Sequence, residues 1–221
     1  MKIVAYNGSP KGKDSVTHKM IEEVLKGAKE EGAEVVNYTL AEKNLSHCRG
    51  CFHCWNVERN KCVIKDDMKE ALSHFLDLDI LLLGTPLQFD NVSGIMKMFL
   101  DRCISFGSYP DEKQSDTHVG IPKIIILSNS GDSKQSRFQA LDFMIETMAE
   151  NMGTEVIAKI FRSQGPLLSF YDEGLRPVVD NYMLLLRQAG REIVRKLKID
   201  EKTQEQLEKP LVPPNTNEPA K

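Results

Sequence analysis

The chain has 221 residues and a formal net charge of −3. At about 100–200 residues per domain this makes one domain, read as residues 1–199, followed by a polar, proline-containing tail over 200–221. The slight acidity, with lysines scattered rather than clustered, argues against a nucleic-acid surface. No run approaches the roughly 18 apolar residues a membrane span needs, and the opening MKIVAYNGSP has too short an apolar stretch for a secretory leader. The expected location is the cytoplasm, with no membrane and no nucleic acid as partner.

Residues 2–6 (KIVAY) form an apolar run of strand formers that ends in a glycine turn. Over 14–31, Val16, Met20, Ile21, Val24, Leu25 and Ala28 recur at spacings of three and four, which predicts a helix stopped by Gly32. Residues 34–38 (EVVNY) read as a second strand, and an irregular cysteine loop follows. A helix is expected over 66–75, with Asp66 as its N-cap, and then a continuous apolar strand, ILLLG, at 80–84. A helix over 93–106 places Ile95, Met96, Phe99, Leu100 and Cys103 on one side, and KIIIL at 123–127 is another buried strand. A helix over 134–151, a strand over 155–161 and a long helix over 171–197 complete the alternation. Strands alternating with helices five times predict an α/β fold, a three-layer doubly wound sheet of five parallel strands. The tail from Asp200 has prolines at 210, 213, 214 and 219 and reads as disordered or as an arm packed on a partner subunit.

The run NGSPKGKDSVT at 7–17 joins the first strand to the first helix. A glycine turn feeding a helix N-terminus directs free N–H groups and the positive end of the helix dipole at one spot. Ser9, Ser15 and Thr17 add hydroxyls, and Lys11 adds charge. The run is neither a Walker A loop nor G-x-G-x-x-G, which disfavours nucleoside triphosphates and classical dinucleotides and suits a single phosphate monoester. The competing reading is a plain turn whose Ser15 or Thr17 caps the helix. Two further loops, TPLQFDNVSG at 85–94 and SNSGD at 128–132, leave the strand ends where doubly wound folds bind ligands. Phe89 offers an apolar surface there. Ser130 or Asp132 could instead be an ordinary N-cap.

Four of the five cysteines, Cys48, Cys51, Cys54 and Cys62, lie in CRGCFHCWNVERNKC. In a reducing compartment such a group points to metal binding or catalysis rather than disulfides. Three readings stand open: a [4Fe–4S] cluster on four thiolates, a zinc site with His47 and His53 close by, or unligated reduced thiols. Cys103 reads as a core residue, Trp55 as loop packing, Asp101–Arg102 as a helix-end pair, and Met96 and Met98 as core. His18 and His118 show no partner pattern.

The segments GSPKGKDSVTHK, CRGCFHC…CVIKDDM and GTPLQFDNVSGIMKMFLDR resemble the flavodoxin-like NAD(P)H-dependent FMN reductases, including the iron–sulfur flavoproteins. The resemblance implies a flavodoxin-like sheet in the order 2-1-3-4-5. It implies FMN held at its phosphate by Ser9, Lys11, Ser15 and Thr17, with Pro86, Leu87, Gln88, Phe89 and Asn91 around the flavin and Ser130 and Gly131 nearby. Cys48, Cys51, Cys54 and Cys62 would be the metal ligands. The family often has arginine at Lys11 and tyrosine at Gln88, so the charge persists while one aromatic is lost. The implied function is an FMN-dependent oxidoreductase taking electrons from NAD(P)H or a reduced carrier such as ferredoxin to a small-molecule or protein acceptor, assembled as a homo-dimer or homo-tetramer. The alternatives are a non-catalytic electron-transfer flavoprotein and a thiol- or metal-binding module on the same scaffold. No protein acid or base is implied.

Overall fold

The computed structural model describes residues 1–58, 61–106, 121–169 and 172–213. His118 and the tail beyond residue 213 lie outside the described residues. Five parallel strands, β1 (Lys2–Asn7), β2 (Glu34–Thr39), β3 (Ile80–Pro86), β4 (Lys123–Asn129) and β5 (Val156–Arg162), form one sheet in the order β2-β1-β3-β4-β5. The chain steps outward from β1 to β2 and returns beyond β1 to β3, so the strand order reverses between β1 and β3. In such sheets that crevice is the ligand position.

Alternate residues of each strand face opposite layers. Ile3, Ala5, Ile80, Leu82, Ile125 and Leu127 pack under α1 (Val16–Glu30) and α6 (Arg176–Lys196). Val4, Tyr6, Leu81, Leu83, Ile124 and Ile126 pack under α3 (Met68–Ser73), α4 (Gly94–Arg102) and α5 (Gln139–Met152). A short helix, α2 (His53–Asn56), lies within the cysteine loop. Fully burying each Leu, Ile or Val side chain stabilises the fold by roughly 1.5–3 kcal/mol, and these three strands are buried on both faces.

Two glycines let α1 and α6 touch backbone to backbone. A Cβ at Gly27 would lie 1.9 Å from the Arg187 carbonyl oxygen, and one at Gly190 would lie 2.0 Å from that of Val24. Ion pairs Arg187–Glu23 and Arg195–Glu31 flank the contact.

Three elements differ from the sequence expectation. The last long helix begins at Arg176, with Pro177 in its first turn. Proline is tolerated there because the missing N–H would be unpaired anyway. The helix expected over 66–75 is α3, and Asp66 precedes its N-cap position, which Asp67 occupies without a side-chain cap bond. Finally, the segment after Asp200, expected as a disordered tail or oligomer arm, forms α7 (Glu201–Glu208), with Thr203 and Leu207 buried in the same chain. Arg162 accounts for this. Its fully buried guanidinium donates to the carbonyls of Leu207 and Lys209, both at 2.9 Å, and so ties down the end of α7. The Gln164 side chain holds Leu211 N and Val212 O in the same way.

Candidate functional site

The carboxyl ends of β1, β3 and β4 are stitched side by side. Gly8 N donates to Gly84 O at 2.7 Å and Leu87 N to Asn129 O at 2.8 Å. Ser130 N donates to Arg162 O at 2.9 Å. The three loops singled out in the sequence therefore share one rim at the reversal of strand order.

Asn7 shapes the first loop. Its Oδ1 accepts from Ser9 N at 3.0 Å and its Nδ2 donates to Gly12 O at 3.1 Å, so one side chain braces both ends of the turn. Gly12, at φ +54°, supplies the left-handed residue the turn needs. Ser15 is the N-cap of α1: its hydroxyl donates to Gly12 O at 2.7 Å and accepts from His18 N at 3.0 Å. That hydroxyl has one proton, already given to the turn, so Ser15 orders the helix end and has no donor left for a ligand. Thr17 is buried, and its hydroxyl accepts from Asn129 Nδ2 at 2.7 Å, leaving its own proton free of any acceptor among the described residues. The N–H groups of Val16 and Thr17 also find no acceptor among those residues. Ser9 is buried, and its hydroxyl accepts only a long bond from Lys11 N. Lys11 is exposed. Unpaired donors around a helix N-terminus fit a phosphate monoester.

In the second loop, Thr85 accepts from Ser93 N at 2.9 Å, and Ser93, the N-cap of α4, donates back to Gly8 O. These two hydroxyls fix the spacing of the first and second loops. Gln88 and Asn91 exchange both backbone hydrogen bonds across Phe89 and Asp90, at φ +48° and +58°. This is a type I′ turn built without glycine. Phe89 stands fully exposed at its tip, at 105% relative accessibility. A bulky residue in this region is strained, and the Asp90–Arg137 ion pair at 2.8 Å braces it. In the third loop, Ser130 Oγ accepts from Asp132 N, and Gly131 lies against Pro166. Pro86, Leu87, Gln88, Phe89, Asn91, Ser130 and Gly131 thus all lie along the rim.

The cysteine loop lies at the other end of α4. Nine residues at 1.5 Å each make that helix roughly 14 Å long. Cys48, Cys51, Cys54 and Cys62 line one cavity, which Arg102 also borders. All are free thiols, Cys51 exposed and the others half-buried. The Cys54 thiol is pushed up first by burial and then by the neighbouring Cys62, Cys48 and Cys51. Cys54 is thus the thiol closest to the other three in its electrostatics. Among the described residues no three His, Cys, Asp or Glu converge on a point for a single metal ion. Four thiol donors spread around one cavity fit a larger body, such as a cluster of four irons, with Cys48, Cys51, Cys54 and Cys62 as its corners. His53 lines the cavity and His47 does not. Trp55 Nε1 donates to Ile104 O at 2.6 Å, docking the loop on the chain just beyond α4.

Arg102 is not a helix-end partner of Asp101, which pairs with Lys97 instead. It forms a two-pronged ion pair with Asp66, at 2.9 and 3.1 Å, and donates to Ser46 O at 2.9 Å. Asp66, expected as a helix cap, also accepts from Ser46 N and Met68 N. Both partners of the pair are nearly fully buried. Burial opposes the carboxylate, but the guanidinium and the backbone N–H donors hold the Asp66 carboxyl below its usual range. Burial likewise opposes the Arg102 charge, and Asp66 together with the adjacent Cys62 sulfur outweighs it.

The family model for NADPH-dependent FMN reductases matches residues 1–122. The chain belongs to that family. Iron-sulfur flavoproteins are among the curated proteins it is similar to. It is 38% identical over 102 residues to an iron-sulfur flavoprotein of Methanocaldococcus jannaschii, covering 46% of this chain and 51% of that protein. It is 34% identical over 113 residues to an iron-sulfur flavoprotein of Archaeoglobus fulgidus, covering 51% and 50%. The chain thus spans about half the length of the curated relatives it matches. Among solved structures, the NAD(P)H:quinone oxidoreductase of Methanothermobacter marburgensis superposes at a TM-score of 0.62 with 16% identity, over 87% of this chain and 98% of that one. That likeness confirms the flavodoxin-like arrangement of this family member.

Residues that sequence reasoning passed over carry much of the site: Asn7, Thr85, Ser93, Asn129 and the Asp66–Arg102 pair. An asparagine at a strand end before a glycine turn is a recognisable brace, so Asn7 had a readable signal. Partners separated by 36 residues, as Asp66 and Arg102 are, leave none.

Proposed function

We propose that the chain is an FMN-dependent oxidoreductase moving electrons from a nicotinamide nucleotide or a reduced carrier to a small-molecule or protein acceptor. The reading is carried by the rim, where three loops meet at the sheet's switch point around hydroxyl and N–H donors that lack acceptors among the described residues. FMN supplies hydride and electron chemistry once bound. The chain's own part is to grip and orient. Ser9, Thr17 and the N–H groups of Val16 and Thr17 take the phosphate, with Lys11 adding charge and Ser15 ordering the helix end. The backbone of 86–91 and of 130–131 borders the ring, with Phe89 as the exposed apolar face. No acid or base stands among these residues, so proton transfer is left to solvent or the nucleotide.

Cys48, Cys51, Cys54 and Cys62 hold a [4Fe–4S] cluster in this reading, supported by their shared cavity and by the names of the relatives. Five free thiols favour a reducing compartment, the cytoplasm. Among the described residues no helix is long and apolar enough to cross a membrane. A homo-dimer or homo-tetramer completes the proposal, since the exposed Phe89 needs a neighbour to cover it.

The test is purification without oxygen, followed by a visible spectrum and assays for FMN, iron and sulfide. Bound flavin that bleaches on mixing with NADH or NADPH supports the reductase. Bound flavin that bleaches only with reduced ferredoxin favours the carrier. A colourless chain that refuses added FMN overturns the proposal.

A further inference from the structure

The cysteine cavity has one wall that is neither a thiol nor apolar. Arg102 is 2% exposed, and two of its nitrogens donate to Asp66 and Ser46. Its third, Nε, is buried without a hydrogen-bond partner. A buried donor left unpaired is costly and calls for an explanation. The guanidinium borders the cavity beside Cys62, where an acceptor of negative charge answers both the orphan donor and the uncovered side of the cation.

We propose that Arg102, clamped by Asp66, sets the reduction potential of the cluster from the Cys62 corner, favouring its reduced form. The inference rests on the cluster reading above. A cluster that gains an electron gains negative charge, and a fixed cation at its edge stabilises that state. The group is buried, so water and salt screen the interaction little. Hydrogen bonds to cluster sulfurs and local net charge are established determinants of such potentials. Asp66 has two effects of opposite sign. It holds the guanidinium in place through a bidentate contact, and its own negative charge partly offsets the cation's field. Arg102 is therefore a positioning residue acting through Cys62, and the pair forms a dipole with its positive end toward the cavity.

This predicts shifts of opposite sign from the two halves of the pair. The chain and its variants Arg102→Gln, Arg102→Lys and Asp66→Asn are loaded anaerobically, assayed for iron and sulfide, and titrated for cluster midpoint by electron paramagnetic resonance. Arg102→Gln should lower the reduced-to-oxidised ratio at the parent midpoint about tenfold, equivalent to 59 mV for one electron. Arg102→Lys, which keeps the charge, should shift less. Asp66→Asn, which removes the offsetting charge while Ser46 still anchors the guanidinium, should shift the midpoint upward. A merely structural clamp would move neither midpoint, or both in one direction, and that result overturns the inference. Should Arg102→Gln fail to hold iron, Asp66→Asn decides alone, because its upward shift has no structural counterpart. A parent that takes up no iron and sulfide overturns the cluster reading and this inference together. A loaded parent with unmoved variants overturns the inference only.

Discussion

Asn129, the last residue of β4, donates from Nδ2 to the Thr17 hydroxyl in the first turn of α1 across 2.7 Å. This one bond links the third loop to the start of α1 and occupies the threonine oxygen as an acceptor, leaving its proton unpaired among the described residues. Thr17→Ala therefore removes a phosphate donor and also strands a buried amide. We expect FMN affinity to fall by about 1–3 kcal/mol and folding stability to fall by a similar amount. Thr17→Ser should keep most of both. Flavin titration and urea denaturation measure the two separately.

The Asp66–Arg102 pair gives an acid dependence with a defined sign. The folded carboxyl is held low, so its contribution is complete above the unfolded value near 4 and is lost as pH falls through the lower folded value. Asp66→Ala should cost roughly 3–5 kcal/mol at pH 7, because Arg102 is left buried and uncompensated. The stability gap between parent and variant should close as pH falls below about 4. A gap equally wide at pH 3 and pH 7 in denaturant melts would contradict the assignment.

Two helical glycines, Gly190 in the α1–α6 contact and Gly94 at the start of α4, should respond unequally to one methyl group. Gly190→Ala places a Cβ 2.0 Å from the Val24 carbonyl, where only backbone can yield, so about 3 kcal/mol should be lost. Gly94→Ala meets nothing within 4 Å in the first turn of α4 and should be neutral or stabilising by about 0.5 kcal/mol. Thermal melts of the two variants make the comparison.

Arg162 keeps a buried charge on three carbonyls and the Tyr182 ring, with no carboxylate bonded to it among the described residues, and burial pulls its pKa down. Arg162→Met should release the end of α7. Amide exchange over 201–212 should quicken by an amount equivalent to about 1.5–3 kcal/mol, the worth of hydrogen bonds to a charged donor, while β1 stays protected. Uniform acceleration across both would mean that Arg162 supports the whole domain.

The sheet was legible because its signals are local. ILLLG and KIIIL are short, branched apolar runs of the kind strands buried on both faces carry, and the turn after KIVAY follows β1 directly. The site was legible as three loops and not as a network. Thr85–Ser93, Asn129–Thr17 and Asp66–Arg102 join residues up to 112 positions apart, and spacing does not encode such pairs. The turn at Phe89 and Asp90 was hidden for a different reason, since positive φ is normally signalled by glycine or asparagine. The tail was misread because average polarity concealed three inward positions: Thr203, which bonds Glu192 of α6, and Leu207 and Leu211, whose backbones meet Arg162 and Gln164.

The interlocked glycines of α1 and α6 have a consequence for biosynthesis. The helix that follows the phosphate turn leaves the ribosome well before residues 176–196, which supply the surface that covers it. Until those residues emerge, Met20, Ile21, Val24 and Leu25 have no α6 over them, however well the earlier strands have paired. The nascent chain thus carries an uncovered apolar flank from the synthesis of α1 until α6 has emerged, a reason for the domain to close late and all at once.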